Sequence, residues 1–243
     1  MRTFCLLLLC AGLAACQTLA PQAAKPSDSA PPLASLQQGF QARGAVPGSR
    51  YRIDPAASQV HIYAFRAGAA RKAGHNHVLS VPQFEGELLL PSENPADAAF
   101  AIRVPLASLV IDDPAVRAAT GGNFLSPRSA DDIAGTRQNL LGPKGLDAER
   151  FPDLWLHSVA IAGDWPVLVA EVATTLHGVT ATQPVVLQVA RDPLGLRVRG
   201  RFSLRQTDFG LAPFSVLGGL LAVQDEVAID FDLRAEAVAT NKP

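Results

Sequence analysis

Apolar side chains recur at every second position, in run after run. Val60, Ile62 and Ala64 form the first run. Phe84, Gly86, Leu88 and Leu90 form the next, then Phe100, Ile102, Val104 and Leu106, then Leu154 and Leu156. Later runs are Leu168, Ala170 and Val172; Val185, Leu187 and Val189; Leu196 and Val198 with Phe202 and Leu204; and Val227, Ile229, Phe231 and Leu233. Successive side chains of a strand point to opposite faces, so the pattern prescribes strands with one dry and one wet face. Arg197, Arg199 and Arg201 supply the wet face of one run, and Asp230 and Asp232 that of another. This is the mark of antiparallel pairing. About eight or nine such strands in one domain leave a barrel or a sandwich as the solutions.

Turn residues separate these runs: His177-Gly178 divides one pair and Asp192-Pro193-Leu194-Gly195 the next. Residues 112–150 break the alternation. Asp113-Pro114 places proline at a first helical position, and a second helical segment runs from near Ser129 to the stop signal Leu141-Gly142-Pro143. We read this insertion as a lid over one barrel mouth. Composition narrows the function classes. Hydrophobic residues make up 48% of the 243, as in a globular chain. The 21 basic and 22 acidic side chains give a net charge of −1, which excludes a nucleic-acid binder relying on a basic surplus. Only 6% of residues are aromatic, too few for a base-stacking platform.

The chain begins with an address. Met1-Arg2 precedes an apolar run, residues 4–13, far shorter than the ~20 residues of a membrane-spanning helix. A basic start, a short apolar stretch and a small-residue end describe a secretory signal peptide over residues 1–15. Leu13-Ala14-Ala15-Cys16 resembles a bacterial lipobox, which implies a diacylglyceryl group on Cys16 and cleavage after Ala15. Gln17 follows, rather than the aspartate of an inner-membrane retention signal, so the expected location is the outer membrane, facing the periplasm. All three cysteines (Cys5, Cys10 and Cys16) lie here, so the mature domain has neither an intrachain disulfide nor a cysteine metal site. Residues 16–50 carry the lipidated cysteine and a linker rich in Pro, Ala and Ser, with Leu33, Leu36 and Phe40 spaced for a short helical turn. Residues 51–238 form one domain and residues 239–243 a tail.

Four segments together resemble the YceI-like family of lipid- or polyisoprenoid-binding periplasmic proteins. They are Tyr51-Arg52-Ile53-Asp54-Pro55 with Ser58 and Val60; Phe84-Glu85-Gly86-Glu87-Leu88; Arg150-Phe151-Pro152 with Leu154, Leu156 and Ser158; and Leu176-His177-Gly178-Val179-Thr180 with Thr207-Asp208-Phe209-Gly210-Leu211 and Asp225-Glu226-Val227. The resemblance implies an all-β fold with a short helical insertion: an extended lipocalin-like antiparallel β-barrel of about eight strands around an apolar interior. It also implies a long isoprenoid or related chain held inside. The chain departs from the family at Gln206, where many members carry arginine. Neighbouring Arg205 would point to the opposite face. The segment Ser126-Pro127-Arg128-Ser129 replaces a more regular Arg-Asp pattern.

Alternation nominates the cavity lining: Val60, Ile62, Phe84, Leu88, Phe100, Ile102, Leu154, Leu156, Val172, Leu187, Phe202, Leu204, Ile229 and Phe231. His75, His77, Arg205 and Asp208 are the candidate polar pocket. In an extended Gly74-His75-Asn76-His77 segment, both imidazoles project to one face. That pair is the basis of an alternative reading, a periplasmic metal-binding protein or hydrolase with His61, His157 or Glu85 completing the site. The preferred reading has no metal and no cofactor beyond a bound isoprenoid-type lipid. The chain contains no Gly-x-Ser-x-Gly elbow, no phosphate-cradling glycine loop and no His-Glu-x-x-His. Asp112-Asp113 and Asp131-Asp132 read as helix-start carboxylates. The expected function is burial of an apolar chain (a polyisoprenoid, isoprenoid quinone or fatty acyl compound) by a membrane-anchored, non-enzymatic protein. A further alternative is an envelope interaction module with a solid barrel.

Overall fold

The computed structural model describes residues 50–238. The signal peptide, Cys16, the linker up to residue 49 and the tail 239–243 lie outside the described residues.

The order of elements is β1 (Arg50–Ile53), β2 (Gln59–Ala67), β3 (His77–Ser80), β4 (Glu85–Leu89), β5 (Ala99–Pro105), β6 (Val110–Ile111), α1 (Pro114–Thr120), α2 (Ala130–Leu141), β7 (Asp153–Asp164), β8 (Val167–Leu176), β9 (Val179–Asp192), β10 (Gly195–Arg205), β11 (Ser215–Val216) and β12 (Leu221–Ala237). All pairings are antiparallel. The ring β1-β4-β5-β7-β8-β9-β10-β12 closes through β1 and β12, giving the eight-stranded barrel that the family resemblance implied, where the alternation alone left barrel or sandwich open.

The early strands are broken. β2, β3 and β6 prolong the lines of β1, β4 and β5 beyond residues 54–58, 81–84 and 106–109, and their halves pair separately along β12-β2-β3-β6. A proline marks each break: Pro55, Pro82 and Pro105. Each lacks the N–H a ladder needs, so pairing is interrupted there. One end of the barrel therefore carries the β2–β3, β8–β9 and β10–β12 connections together with the helical insertion. The other carries the β4–β5, β7–β8 and β9–β10 turns.

The two helices form where the sequence places them. Asp113 caps α1 by accepting from the N–H groups of Ala115 and Val116, with Pro114 next to it. Ser129 and Asp132 form a reciprocal capping box on α2, and Gly142 ends it. Their positions correct the reading of the insertion as one lid. Only α2 and the turn after it reach the mouth, where Arg137 donates to the carbonyls of Leu109 (2.6 Å) and Ala107 and so covers the edge beside β6. α1 lies on the outer wall instead. Phe124, just beyond it, stacks edge-on against Tyr63 (5.7 Å) and Phe65 (6.1 Å), which point outward from β2.

Two glycines within the alternating runs set the width of the interior. At Gly86 a Cβ would lie 2.5 Å from Ile53 Cδ1, so the missing side chain admits Ile53. At Gly200 it would lie 2.5 Å from Phe231 Cζ and 2.6 Å from the Val186 carbonyl. Gly200→Val should therefore lower stability by ~1–3 kcal/mol, the usual range for overpacking. Urea denaturation measures this, and an unchanged midpoint would show that the Phe231 ring has room to move.

Candidate functional site

The inward faces of the strands do not meet at the axis. They enclose a cavity of about 1080 Å³, larger than the ~300–1,000 Å³ typical of small-molecule sites. Every residue nominated by alternation borders it: Val60 and Ile62 on β2, Phe84 before β4 and Leu88 on it, Phe100 and Ile102 on β5, Leu154 and Leu156 on β7, Val172 on β8, Leu187 on β9, Phe202 and Leu204 on β10, and Ile229 and Phe231 on β12. Alternation did not reach the residues that close the ends. At one end Trp165, between β7 and β8, borders the cavity. Its Nε1 donates to the Glu93 carbonyl (2.8 Å), Arg191 lies over its ring (5.2 Å), and Arg191 pairs with Glu93 (2.9 Å). The other end is lined by Thr136, Gln138 and Asn139 of α2, by Lys144, by Gln206, and by residues 211–216 ahead of β12.

The polar lining is therefore segregated. His77, Thr136, Gln138, Asn139, Lys144 and Gln206 all belong to the α2 end, whereas the Trp165 end is apolar. A cavity with one polar and one apolar end suits a molecule built the same way.

The four residues nominated as a polar pocket do not form one. His77 borders the cavity, but His75, Arg205 and Asp208 do not. Strand parity puts Arg205 on the outer face, 62% exposed at its side chain and paired with Asp225 (3.2 Å). Asp208 is exposed in the turn Gln206–Phe209. Gln206 borders the cavity and donates from its amide to the Gln224 carbonyl (2.8 Å).

Around His77 lies a buried charge network that sequence reading missed. Asp112 is 1% and Arg117 3% exposed. One Asp112 carboxylate oxygen accepts from Arg117 and from the Val78 N–H (3.0 Å); the other meets His77 Nδ1 at 2.6 Å. Arg117 also donates to the carbonyls of Asn76 and Ser126. Burial alone would raise the Asp112 carboxyl, but the bonds from His77, Val78 and Arg117 together hold it below the ordinary carboxylate value. Of the pair read as helix-start carboxylates, Asp113 caps and Asp112 does not.

His75 takes a different partner: Arg128 lies 2.6 Å from its Nδ1. A guanidinium only donates, so that nitrogen accepts. Burial and the Arg128 charge both lower the His75 pKa. The two rings meet edge to face at 5.0 Å, with both Nδ1 atoms engaged and two arginines beside them. This is a poor setting for a cation, and among the described residues no three His, Cys, Asp or Glu side chains gather as a metal site. His177 sits at φ 53 in the β8–β9 hairpin, its ring 4.8 Å from Phe151.

The Asp112 network fastens α1 and the following loop to β3. Asp112→Asn should cost ~3–5 kcal/mol, because Arg117 would remain buried without its counter-charge. A depressed carboxyl contributes stability above its unfolded value, and that contribution is lost only as pH falls through the lower folded value. Hydrogen exchange of α1 should therefore stay protected at pH 5 and open only below the ordinary carboxylate range. Opening between pH 6 and 5 would contradict the assignment.

The YceI-like domain matches residues 51–235 of this chain. No curated protein sequence matches it. Among solved structures, Burkholderia cenocepacia BcnA is similar with a TM-score of 0.54 at 17% identity, over 74% of this chain and 98% of that one. The Campylobacter jejuni YCEI protein gives a TM-score of 0.46 at 12% identity, over 66% of this chain and 85% of that one. With the family matching from the first strand almost to the end of the last, and with the closed eight-stranded barrel around one cavity, the chain belongs to the YceI-like family.

Proposed function

We propose that this protein is a carrier or sensor that holds a long apolar chain inside its barrel. The observation that carries the reading is the size and lining of the cavity. The cavity of about 1080 Å³ is walled almost entirely by apolar side chains, which forfeit dispersion contacts wherever no atom faces them. Water makes few bonds with a wall of Leu, Ile, Val and Phe. An apolar occupant restores those contacts, gaining ~25 cal/mol for each Å² it hides from water. The ligand class is a polyisoprenoid, an isoprenoid quinone or a fatty acyl compound, with its tail toward Trp165.

Burial, not bond chemistry, is the mechanism. The exposed Phe214, Val216, Leu217 and Leu220 lie at the α2 end, and Phe214 and Val216 also line the cavity. An apolar chain entering there passes over apolar surface. The protein is anchored through lipid on Cys16 to the outer membrane, facing the periplasm. Two or three acyl chains hold it firmly, at ~0.8 kcal/mol per buried methylene.

Native mass spectrometry of the full chain from a bacterial envelope, followed by solvent extraction, should yield a stoichiometric long-chain species. Leu156→Trp, which puts bulk into the cavity from β7, should keep the fold and select a shorter species. A bare protein mass from both would defeat the carrier reading. Independently, Cys16→Ala should abolish labelling with radioactive palmitate and release the protein from the membrane fraction. Unchanged sedimentation with membranes would remove the anchor from the proposal.

A further inference from the structure

The hydrogen bonds around His77 assign its imidazole protons. Asp112 is held in its ionised form and accepts only. Arg117 and the Val78 N–H occupy one of its oxygens, and the other is 2.6 Å from His77 Nδ1. Two acceptors do not bond each other, so Nδ1 carries the hydrogen. In the neutral imidazole, Nε2 is then left with its lone pair and no hydrogen. The ring borders the cavity at its polar end, and its side chain is 15% exposed. Arg117 and the Val78 amide hold Asp112, and Asp112 holds the ring. The acceptor at Nε2 is therefore pre-oriented, as a binding group on a rigid strand should be.

We propose that His77 Nε2 accepts a hydrogen bond from a hydroxyl on the head of the bound chain, so that the cavity favours long-chain alcohols (prenol- or hydroquinone-type heads) over the corresponding ethers, ketones or quinones. The inference rests on the carrier reading and narrows it. A carbonyl or ether head offers only acceptors and leaves Nε2 without a partner. A hydroxyl supplies the missing donor.

The test uses three probes with one tail: geranylgeraniol, its methyl ether and geranylgeranoic acid. Each is exchanged into the full chain at pH 8 and quantified by native mass spectrometry. The alcohol should bind about tenfold more tightly than the ether, the size of one net hydrogen bond. His77→Phe should lose that preference while still binding the ether. Nitrogen-15 NMR of the wild-type imidazole checks the assignment without a variant: Nε2 should be the unprotonated nitrogen, and its resonance should move with the alcohol but not with the ether. Equal binding of alcohol and ether, or a protonated Nε2, overturns the head assignment and leaves the carrier reading standing. Tightest binding of the acid, lost in Lys144→Ala, also overturns it in favour of an ion pair at the rim. Failure of all three probes to bind overturns both.

Discussion

Closure of the meander through β12 is the constraint on which everything else depends. Its seventeen residues pair with β10 along one edge and with β2 and then β1 along the other. The ring that returns to its first strand has two separate faces and no free edge of its own, and the edge left at β6, off the ring, is the one Arg137 covers. Period-two alternation then sorts side chains without further instruction. Phe231 and Ile229 face the cavity, while the alternating Asp230 and Asp232 face outward. There Asp230 meets Arg201 (2.7 Å), and Asp232 meets Arg199 (3.2 Å) and Arg197. Pairs this exposed contribute little each. Their value lies in register, because a one-residue slip would bring arginine and aspartate into the cavity.

The cavity follows from what the interior lacks. Small barrels can be filled by their own side chains. Here Gly86 and Gly200 withdraw bulk from the inner face, and Ile53 and Phe231 pack against the positions they leave bare. The rest remains open along the barrel. The proline breaks in the first three strand lines separate two halves of the wall, one carrying β1, β4 and β5 and the other β2, β3 and β6. The second half is where α1, α2 and the buried charges gather. Architecture and chemistry are thus divided along the barrel: regular ladder at the Trp165 end, interrupted ladder and polar groups at the α2 end.

What the sequence revealed and what it hid divide along the same line. The lining from Val60 to Phe231 was legible because each strand writes its inner face at every second residue. The helix caps at Asp113 and Ser129 were legible because capping is local. Asp112 was not. It sits at φ 54 directly before the cap, and its partners His77 and Val78 are more than thirty residues away in sequence. Contacts of that separation leave no period to read. The role of α1 was hidden for the same reason: what holds it is Arg117 reaching back to Asn76, and Phe124 over Tyr63 and Phe65. Arg205 failed as a pocket residue by a rule the sequence does contain, since its strand parity points it at Asp225.

The adjacent histidines show how far residue type underdetermines chemistry. Spacing made His75 and His77 equivalent, two imidazoles on one face. The structure makes them opposites. Arg128 forces an acceptor on His75 Nδ1, while the ionised Asp112 forces a donor on His77 Nδ1. One ring is committed to a neighbouring arginine away from the cavity lining. The other is locked by a buried carboxylate and belongs to a residue that borders the polar end of an apolar chamber. The buried Arg117–Asp112 pair carries a desolvation cost that a hydrophobic pair would avoid. Its presence is accounted for if it fixes two things at once: the docking of α1 on the outer wall, and the tautomer of the imidazole on the inner one.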